Sequence, residues 1–293
     1  MPGKLKEVKT RINSVKSTQQ ITKAMKLVAA SKLKKATDAI VQMRPYADKL
    51  GEVLRNISAG NSSDVEIVYA MERPIQRAAV VVITSDKGLC GSFNANILKT
   101  ANFYIKNDLA SVRKNGNLTI IPIGKKAYDA FKKYEDCKLV TDYVNLFKDL
   151  SYNNVSDVAK MLMNGFEVGY YDKVVVAYAE FKNAAVQNFN LVDFLPIAKK
   201  QAEEKQASNV DYIFEPDKAK LLKDLTPKIL KTQFYSYLLD NNASEHGARM
   251  TAMDNATNNA AELLRQLQIK YNKERQAAIT TELTEIVSGA AAL

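Results

Sequence analysis

The sequence predicts an α/β chain with two long helices: an antiparallel coiled coil of the N- and C-terminal segments, and an α/β domain between them. Two observations predict this class. Both terminal segments are almost free of glycine and proline and carry apolar residues at helical spacing. In the middle of the chain, β-branched runs alternate with helical stretches. The predicted domains are an N-terminal coiled-coil helix (1–60), the α/β domain (61–215) and a C-terminal coiled-coil helix (216–293).

The N-terminal helix is predicted from Leu5 to Ile57, a segment with Pro45 as its one proline and Gly51 as its one glycine. Apolar residues recur every three or four positions, which is the spacing of a coiled-coil seam. Polar residues interrupt the seam at 18–22. At 1.5 Å per residue the helix is about 80 Å long, so it needs a long partner helix.

The C-terminal segment 217–288 supplies that partner, because Pro227 and Gly247 are its only helix-breaking residues. Pro227 is expected to kink or restart the helix. Alanines at a spacing of four form a stripe that lets two helices approach closely: Ala248, Ala252, Ala256 and Ala260. Two terminal helices joined through one middle domain pair most simply in antiparallel fashion.

The middle domain alternates strand and helix signals, which predicts a parallel sheet. The predicted strands are 77–84, 118–124, 138–144 and 172–181, and the predicted helices are 94–114, 125–134 and 155–167. A last alternating run, 187–196, is predicted as an antiparallel edge strand, and the polar segment 198–209 as a linker or loop.

Composition excludes several classes of protein. The 46% apolar and 25% charged content is typical of a folded chain, and no apolar run is long enough to span a membrane. The first residues lack the apolar core of a secretion signal, which favours a cytosol-facing location. Two cysteines and one histidine are too few for a disulfide scaffold or for most metal sites.

Most of the net charge of +10 lies in the first 35 residues. Ten lysine or arginine residues stand there against Glu7 alone, a balance of +9. Such a cluster acts as a local contact surface, because salt screens charges beyond about 10 Å. Three interpretations stay open from composition: a solvated helix face, an acidic protein partner and nucleic acid.

The sequence offers no convincing catalytic site. The loop after the first strand, SDKGLCGSFN (85–94), has only Gly88 and Gly91, which fits neither phosphate-binding fingerprint. Cys90 has no histidine near it in sequence, so a packed thiol is the better interpretation. His246 and its neighbour Glu245 belong to the predicted coiled coil. We therefore predict no catalytic, cofactor-binding or metal-binding residues.

Several segments resemble the gamma subunit family of F-type rotary ATP synthases. The resemblance is carried by ITTELTEIVSGAAAL (279–293), YNKERQAAIT (271–280), ARMTAMDNATNNAAELL (248–264), RINSVKSTQQITKAMKLVAASKLKKA (11–36) and SDKGLCGSFN (85–94). It implies a rotor shaft: a coiled coil inside a ring of alternating alpha and beta subunits, above a Rossmann-like foot joined to epsilon and the membrane c-ring.

The resemblance also implies roles for particular residues. Arg275 and Gln276 match a pair that hydrogen-bonds a beta-subunit loop. The basic cluster would face acidic beta-subunit loops, and its implied contact residues are Lys23, Met25, Lys26 and Lys32, with Lys34 and Lys35 beside them. The implied bearing tip consists of Ile279, Leu283, Ile286 and Val287. The implied c-ring contacts are Tyr212, Phe214 and Glu215.

The implied function is to transmit torque between the c-ring and the catalytic beta subunits during ATP synthesis or hydrolysis, without catalysis by this chain. The implied place is the cytoplasmic face of a bacterial inner membrane, with proton or sodium as the coupling ion. Thiol regulation is not expected, because no cysteine lies between Phe194 and Asp217. The alternatives are a basic coiled-coil protein that binds nucleic acid and a small α/β enzyme.

Overall fold

A computed structural model of the chain describes residues 2–59, 68–197 and 218–291. By its internal contacts the chain divides into two compact units: Met1–Ser31 with Arg249–Leu293, and Lys32–Ala248. The predicted domain boundaries at 60/61 and 215/216, and the polar segment 198–209, lie outside the described residues. The division into three domains therefore stays a prediction.

Two long helices bear out the predicted terminal segments. Helix α1 spans Pro2–Ala59 and helix α6 spans Lys218–Ala291. The expected restart at Pro227 is wrong, because α6 runs through this residue. A proline inside a helix costs about 3 kcal/mol. Burial of the apolar residues that follow it, Ile229, Leu230 and Phe234, offsets this cost.

The middle of the chain forms a five-stranded sheet with helices between the strands. The strands are β1 (Ala78–Ile83), β2 (Leu118–Ile123), β3 (Lys138–Leu139), β4 (Lys173–Phe181) and β5 (Gln187–Leu195). The helices are α2 (Phe93–Asn107), α3 (Ala110–Lys114), α4 (Lys125–Phe131) and α5 (Tyr152–Glu167). Short 3-10 turns lie at Val68–Ala70 and Leu146–Lys148.

The strand order is β3-β2-β1-β4-β5, and the first four of these strands are parallel. Strand β5 runs antiparallel to β4 at one edge. Both the parallel sheet and its antiparallel edge are confirmed. Since the chain moves outward from β1 first in one direction and then in the other, the sheet has the doubly wound, Rossmann-like topology.

Each face of the sheet carries its own hydrophobic core. Successive residues of β1 point to opposite faces. Ala79, Val81 and Ile83 pack with α5 and with the Leu230–Leu238 part of α6, whereas Ala78, Val80 and Val82 pack with α2, α3 and α4. All six β1 residues are fully buried, so the strand reads as a continuous apolar run.

Two predicted elements differ in extent. The run at 138–144 forms only the two-residue β3, because the next residues turn to place the Val144 carbonyl against the Gly124 N–H, 3.0 Å away. The predicted helix 94–114 divides at Asp108 and Leu109 into α2 and α3.

Within the Lys32–Ala248 unit, α1 packs against α6 through small and branched residues. Ala36 and Ile40 of α1 form a buried cluster with Leu239 and Ala243 of α6. Across the ranges that the structure describes, neither these helices nor the shorter ones contain a stretch apolar enough to cross a membrane.

Candidate interaction surfaces

The unit formed by 1–31 and 249–293 is an antiparallel pair of helices with a regular seam. Within this unit the buried α1 residues are seven apart or a multiple of seven apart: Val8, Thr22 and Ala29. The buried α6 residues of this unit have the same spacing: Met253, Ala260 and Leu267. A period of seven places these residues on one line of each helix, so the seam is that of a coiled coil.

Two polar contacts fix the direction of the pairing. Lys26 Nζ lies 2.6 Å from Asp254 Oδ1, and Thr257 Oγ1 donates a hydrogen bond of 2.8 Å to Thr22 Oγ1. The α1 numbers fall as the α6 numbers rise, so the helices are antiparallel as predicted. The polar interruption at 18–22 thus marks a place where the two helices meet through hydroxyl groups.

The alanine stripe contributes less to the seam than its spacing suggests. Of its four members, Ala260 is buried, and the other three are only partly buried. A straight spacing of four drifts around the helix, whereas a spacing of seven follows the seam. Met253, Ala260 and Leu267 are therefore the buried residues of the seam, and of these Met253 lies outside the predicted stripe and its continuation to Leu267.

The residues of the basic cluster differ in their surroundings. Lys23, Lys32, Lys34 and Lys35 are exposed, whereas Met25 and Lys26 are partly buried. Lys26 is also the partner of Asp254, so a carboxylate already balances part of its charge. Lys23 and Lys32 present their ammonium groups to solvent and are the better placed to meet an acidic surface.

Arg275 and Gln276 lie on an exposed part of α6, one residue apart. Among the described residues no hydrogen bond or ion pair involves either side chain. The guanidinium offers a planar fork of donors, and the neighbouring amide adds a donor and an acceptor. The pair can therefore bind a carboxylate or a carbonyl group of another chain.

The last turns of α6 expose apolar side chains. Ile279, Leu283, Ile286 and Val287 are between 48% and 67% exposed. Beyond Glu285 the sequence has no charged side chain. An apolar helix end of this kind is suited to a surface that excludes water but makes few directional bonds.

A groove lies between the two helices of the same unit. Lys6 and Lys9 of α1 line it together with Glu282 and Glu285 of α6. Opposite charges on facing helices favour this pairing, as they do at the flanks of other coiled coils.

The 85–94 loop is closed by its own side chains. The backbone N–H of Ser85 donates to Asn94 Oδ1 at 3.0 Å, and Asn94 Nδ2 lies 3.2 Å from Cys90 Sγ. Cys90 is 2% exposed, which confirms its prediction as a packed thiol. Leu89 and Gly91 adopt positive φ values of 63° and 61°, so the loop turns sharply before α2 begins.

Two further groups of residues are found in the prediction or in the described structure, but not in both. The implied c-ring contacts Tyr212, Phe214 and Glu215 lie outside the described residues. Asp254 and Thr257, which pair with α1, were not identified from the sequence. No local pattern indicates such partners, because more than 200 positions separate them from Lys26 and Thr22.

Known proteins match this chain over almost its whole length. The family model described as ATP synthase matches residues 4–293. The chain is 50% identical to the ATP synthase gamma chain of Cytophaga hutchinsonii, covering 100% of this chain and 99% of the relative. It is also 50% identical to the gamma chain of Christiangramia forsetii, with 99% and 98% covered.

A solved structure shares the fold. A chain of the Euglena gracilis mitochondrial ATP synthase, in an assembly described as OSCP/F1/c-ring in rotational state 3, matches with a TM-score of 0.65 at 22% identity. The match covers 100% of this chain and 95% of that chain. With paired terminal helices, a doubly wound sheet and full-length similarity to bacterial gamma chains, the chain belongs to the ATP synthase gamma chain family.

Proposed function

We propose that the chain is the central rotor shaft of a bacterial F-type ATP synthase. It transmits torque between the membrane c-ring and the catalytic beta subunits, during proton-driven ATP synthesis or during ATP hydrolysis in reverse. The observation that carries the proposal is the antiparallel coiled coil with an exposed, uncharged α6 end, in a chain similar to gamma chains over its full length.

We propose that the chain itself catalyses nothing. The 85–94 loop, where an α/β sheet would bind a phosphate, uses Ser85 and Asn94 to bond its own atoms. Cys90 of this loop is buried, and its thiol has the Asn94 amide as a neighbour in place of a general base. The catalytic groups of the complex then belong to its other subunits.

The proposed partners are those that the resemblance to gamma subunits implies. The coiled coil would turn within a ring of three alpha and three beta subunits, and the α/β domain would bind epsilon and the c-ring. Tyr212, Phe214 and Glu215 are the proposed c-ring contacts. The chain would then lie at the cytoplasmic face of the inner membrane and be held there through the c-ring.

The proposed contacts with the beta subunits differ in binding energy. Exposed lysines such as Lys23 and Lys32 form pairs of about 0 to 1 kcal/mol, which can form and release on every turn. Met25 and Lys26 would lie in the same contact region. Arg275 with Gln276 can make several hydrogen bonds to one beta-subunit loop, and hydrogen bonds to a charged group contribute about 1.5–3 kcal/mol each. This pair would fix the shaft at particular angles.

The bearing tip is proposed to slide. Ile279, Leu283, Ile286 and Val287 would lie against the inner surface of the hexamer. Apolar contact is non-directional, so it excludes water without holding the shaft at one angle. A charged residue at the tip would instead require a partner at each angle of rotation.

Reconstitution tests the proposal. The purified chain is mixed with alpha and beta subunits, and assembly and ATP hydrolysis are compared for the full chain and for a chain lacking 279–293. We expect the full chain to give an active hexamer and the truncated chain to give a weaker one. A chain that neither joins the hexamer nor changes its activity would refute the rotor assignment. Salt-dependent binding to random DNA would then be measured, because it tests the nucleic-acid alternative.

A further inference from the structure

The last residues of β4 have a neighbouring strand on one side only. Strand β1 pairs with β4 up to Val82 and Ala177. Strand β4 continues to Phe181, and β5 accompanies it there on the other side. Residues two apart along a strand direct their backbone groups to the same edge. Ala179 therefore presents its N–H and carbonyl groups to the edge that β1 has left.

Side chains of α6 occupy this edge. Asn241 Oδ1 accepts a hydrogen bond of 3.1 Å from the Ala179 N–H, and Ser244 Oγ donates one of 3.1 Å to the Ala179 carbonyl. Both side chains are fully buried. They are three positions apart in the sequence, so they lie on one face of α6. The helix thus takes the place that a strand would fill.

The apolar contacts around these two residues cannot fix the helix in the same way. Leu230, Phe234 and Leu238 of α6 pack on the same sheet through apolar contacts, which are non-directional. Two hydrogen bonds to the backbone N–H and carbonyl of one residue resist both rotation of α6 about its axis and sliding along it. Asn241 Nδ2 has no hydrogen-bond partner among the described residues. The Asn241 amide is thus buried although only its Oδ1 atom is hydrogen-bonded within the described part of the chain. This arrangement fits a role in positioning α6.

We infer that Asn241 and Ser244 are positioning residues that lock α6 to β4 and carry torque between the α/β domain and the C-terminal helix. This inference rests on the proposed function. Loss of the lock would let α6 move relative to β4 under load, while the proposed beta-subunit contacts of Arg275 and Gln276 stay intact. ATP hydrolysis would then continue, and less of it would drive the c-ring.

The test uses the assembled enzyme in membrane vesicles with two double variants. Asn241→Ala/Ser244→Ala removes the lock. Ser236→Ala/Asn242→Ala is the matched control, because these residues lie on the same helix, are partly buried and form no hydrogen bond to β4 within the described ranges. ATP hydrolysis and ATP-driven proton uptake are measured in the same vesicles, so that their ratio reports coupling.

We expect the lock variant to hydrolyse ATP at close to the wild-type rate but to pump fewer protons per ATP, while the control keeps the wild-type ratio. In hydrogen exchange, the Ala179 amide should exchange about tenfold faster in the lock variant. If the lock variant does not assemble, Ser244→Ala alone gives the same comparison with half of the lock.

The outcomes separate the two proposals. Equal coupling ratios in the lock variant, its control and the wild type overturn the inference and leave the rotor function standing. A wild-type chain that supports pumping of neither protons nor sodium ions in the assembled enzyme overturns the rotor function itself. A lock variant that loses hydrolysis and pumping in equal proportion also overturns the inference, because the residues would then support folding and not coupling.

Discussion

The hydroxyl groups of Thr22 and Thr257 lie 2.8 Å apart across the seam of the helix pair. Each hydroxyl also lies near a carbonyl of its own helix, that of Gln19 at 3.0 Å and that of Met253 at 2.7 Å. A polar contact at a seam position favours the helix register in which its two groups meet. In a shifted register the two hydroxyl groups would no longer be hydrogen-bonded to each other.

Replacing these threonines by valine should reveal the contact as a coupling energy. Thr22→Val and Thr257→Val are each expected to lower the free energy of unfolding, and the double variant should lose less than the sum of the two. The expected coupling is about 1 kcal/mol, the usual contribution of one hydrogen bond. Urea unfolding of the four chains measures it, and additive effects would contradict the pairing.

The Lys26 and Asp254 ion pair should contribute little and depend on salt. Both side chains are more than a third exposed, at 38% and 45%, so we expect no more than about 1 kcal/mol. Lys26→Glu should destabilise the helix pair, and Lys26→Glu/Asp254→Lys should restore it. At about 1 M salt the difference should vanish, because the screening length falls to about 3 Å. Thermal unfolding at low and high salt checks this.

Asp240 should make stability depend on pH. Burial raises the pKa of this carboxyl to about 6, the Arg44 guanidinium 3.8 Å away lowers it, and Glu180 of β4 raises it further. A hydrogen bond from the Phe181 N–H also lowers it.

Because the pKa is higher in the folded chain, the folded state binds the proton more tightly. Stability from this group is complete below about pH 4 and is lost as pH rises through about 6. Asp240→Asn should remove this dependence and gain up to about 3 kcal/mol relative to the wild type at pH 7. Urea unfolding of both chains between pH 4.5 and 7.5 measures the difference, and parallel curves would contradict the assignment.

Gly124 should tolerate no side chain. It has a φ of 97°, and a Cβ there would overlap the carbonyl of Thr84, which is backbone and cannot move aside. Gly124→Ala is expected to cost several times the roughly 1 kcal/mol of a left-handed conformation alone. Gly116→Ala is the control, since Gly116 has a φ of 69° and open space around it. Equal losses in the midpoint of urea unfolding would contradict the steric argument.

Arg275 and Gln276 should matter more than any one lysine. We expect Arg275→Ala/Gln276→Ala to weaken assembly or coupled ATP synthesis about tenfold or more, as the loss of charged hydrogen bonds would. Lys23→Ala or Lys32→Ala should change either by less than about fivefold, because exposed ion pairs are weak. Hexamer assembly and ATP synthesis in vesicles give the comparison. Small and equal effects in all three variants would contradict the proposal that Arg275 and Gln276 contact a beta subunit.

The sequence predicts the elements of this fold because each follows from a local pattern. Strand β1 is a buried apolar run, and β5 is a partly alternating run whose residues are mostly half-buried, as in an edge strand. The extent of β3 could not be predicted in this way. Thr141 and Tyr143 favour a strand, but pairing with β2 ends at Leu139 and decides where the strand stops.

The candidate surfaces were predictable in part. The exposed apolar residues at the α6 end could be predicted from composition and from the resemblance to gamma subunits. The lock of Asn241 and Ser244 on Ala179 was not predictable, because polar residues within a helix ordinarily face solvent. These two residues are needed only because the pairing of β1 with β4 ends at Val82 and Ala177, and that end is a property of the folded sheet.

The unequal burial of the two cysteines has a practical consequence for labelling. Cys90 is buried within the 85–94 loop, whereas Cys137, the residue before β3, is partly accessible. Burial raises the pKa of the Cys137 thiol, so maleimide reagents should couple faster under mildly alkaline conditions. The native chain thus offers a single attachment point for a fluorophore or bead, on the α/β domain, without prior removal of a cysteine.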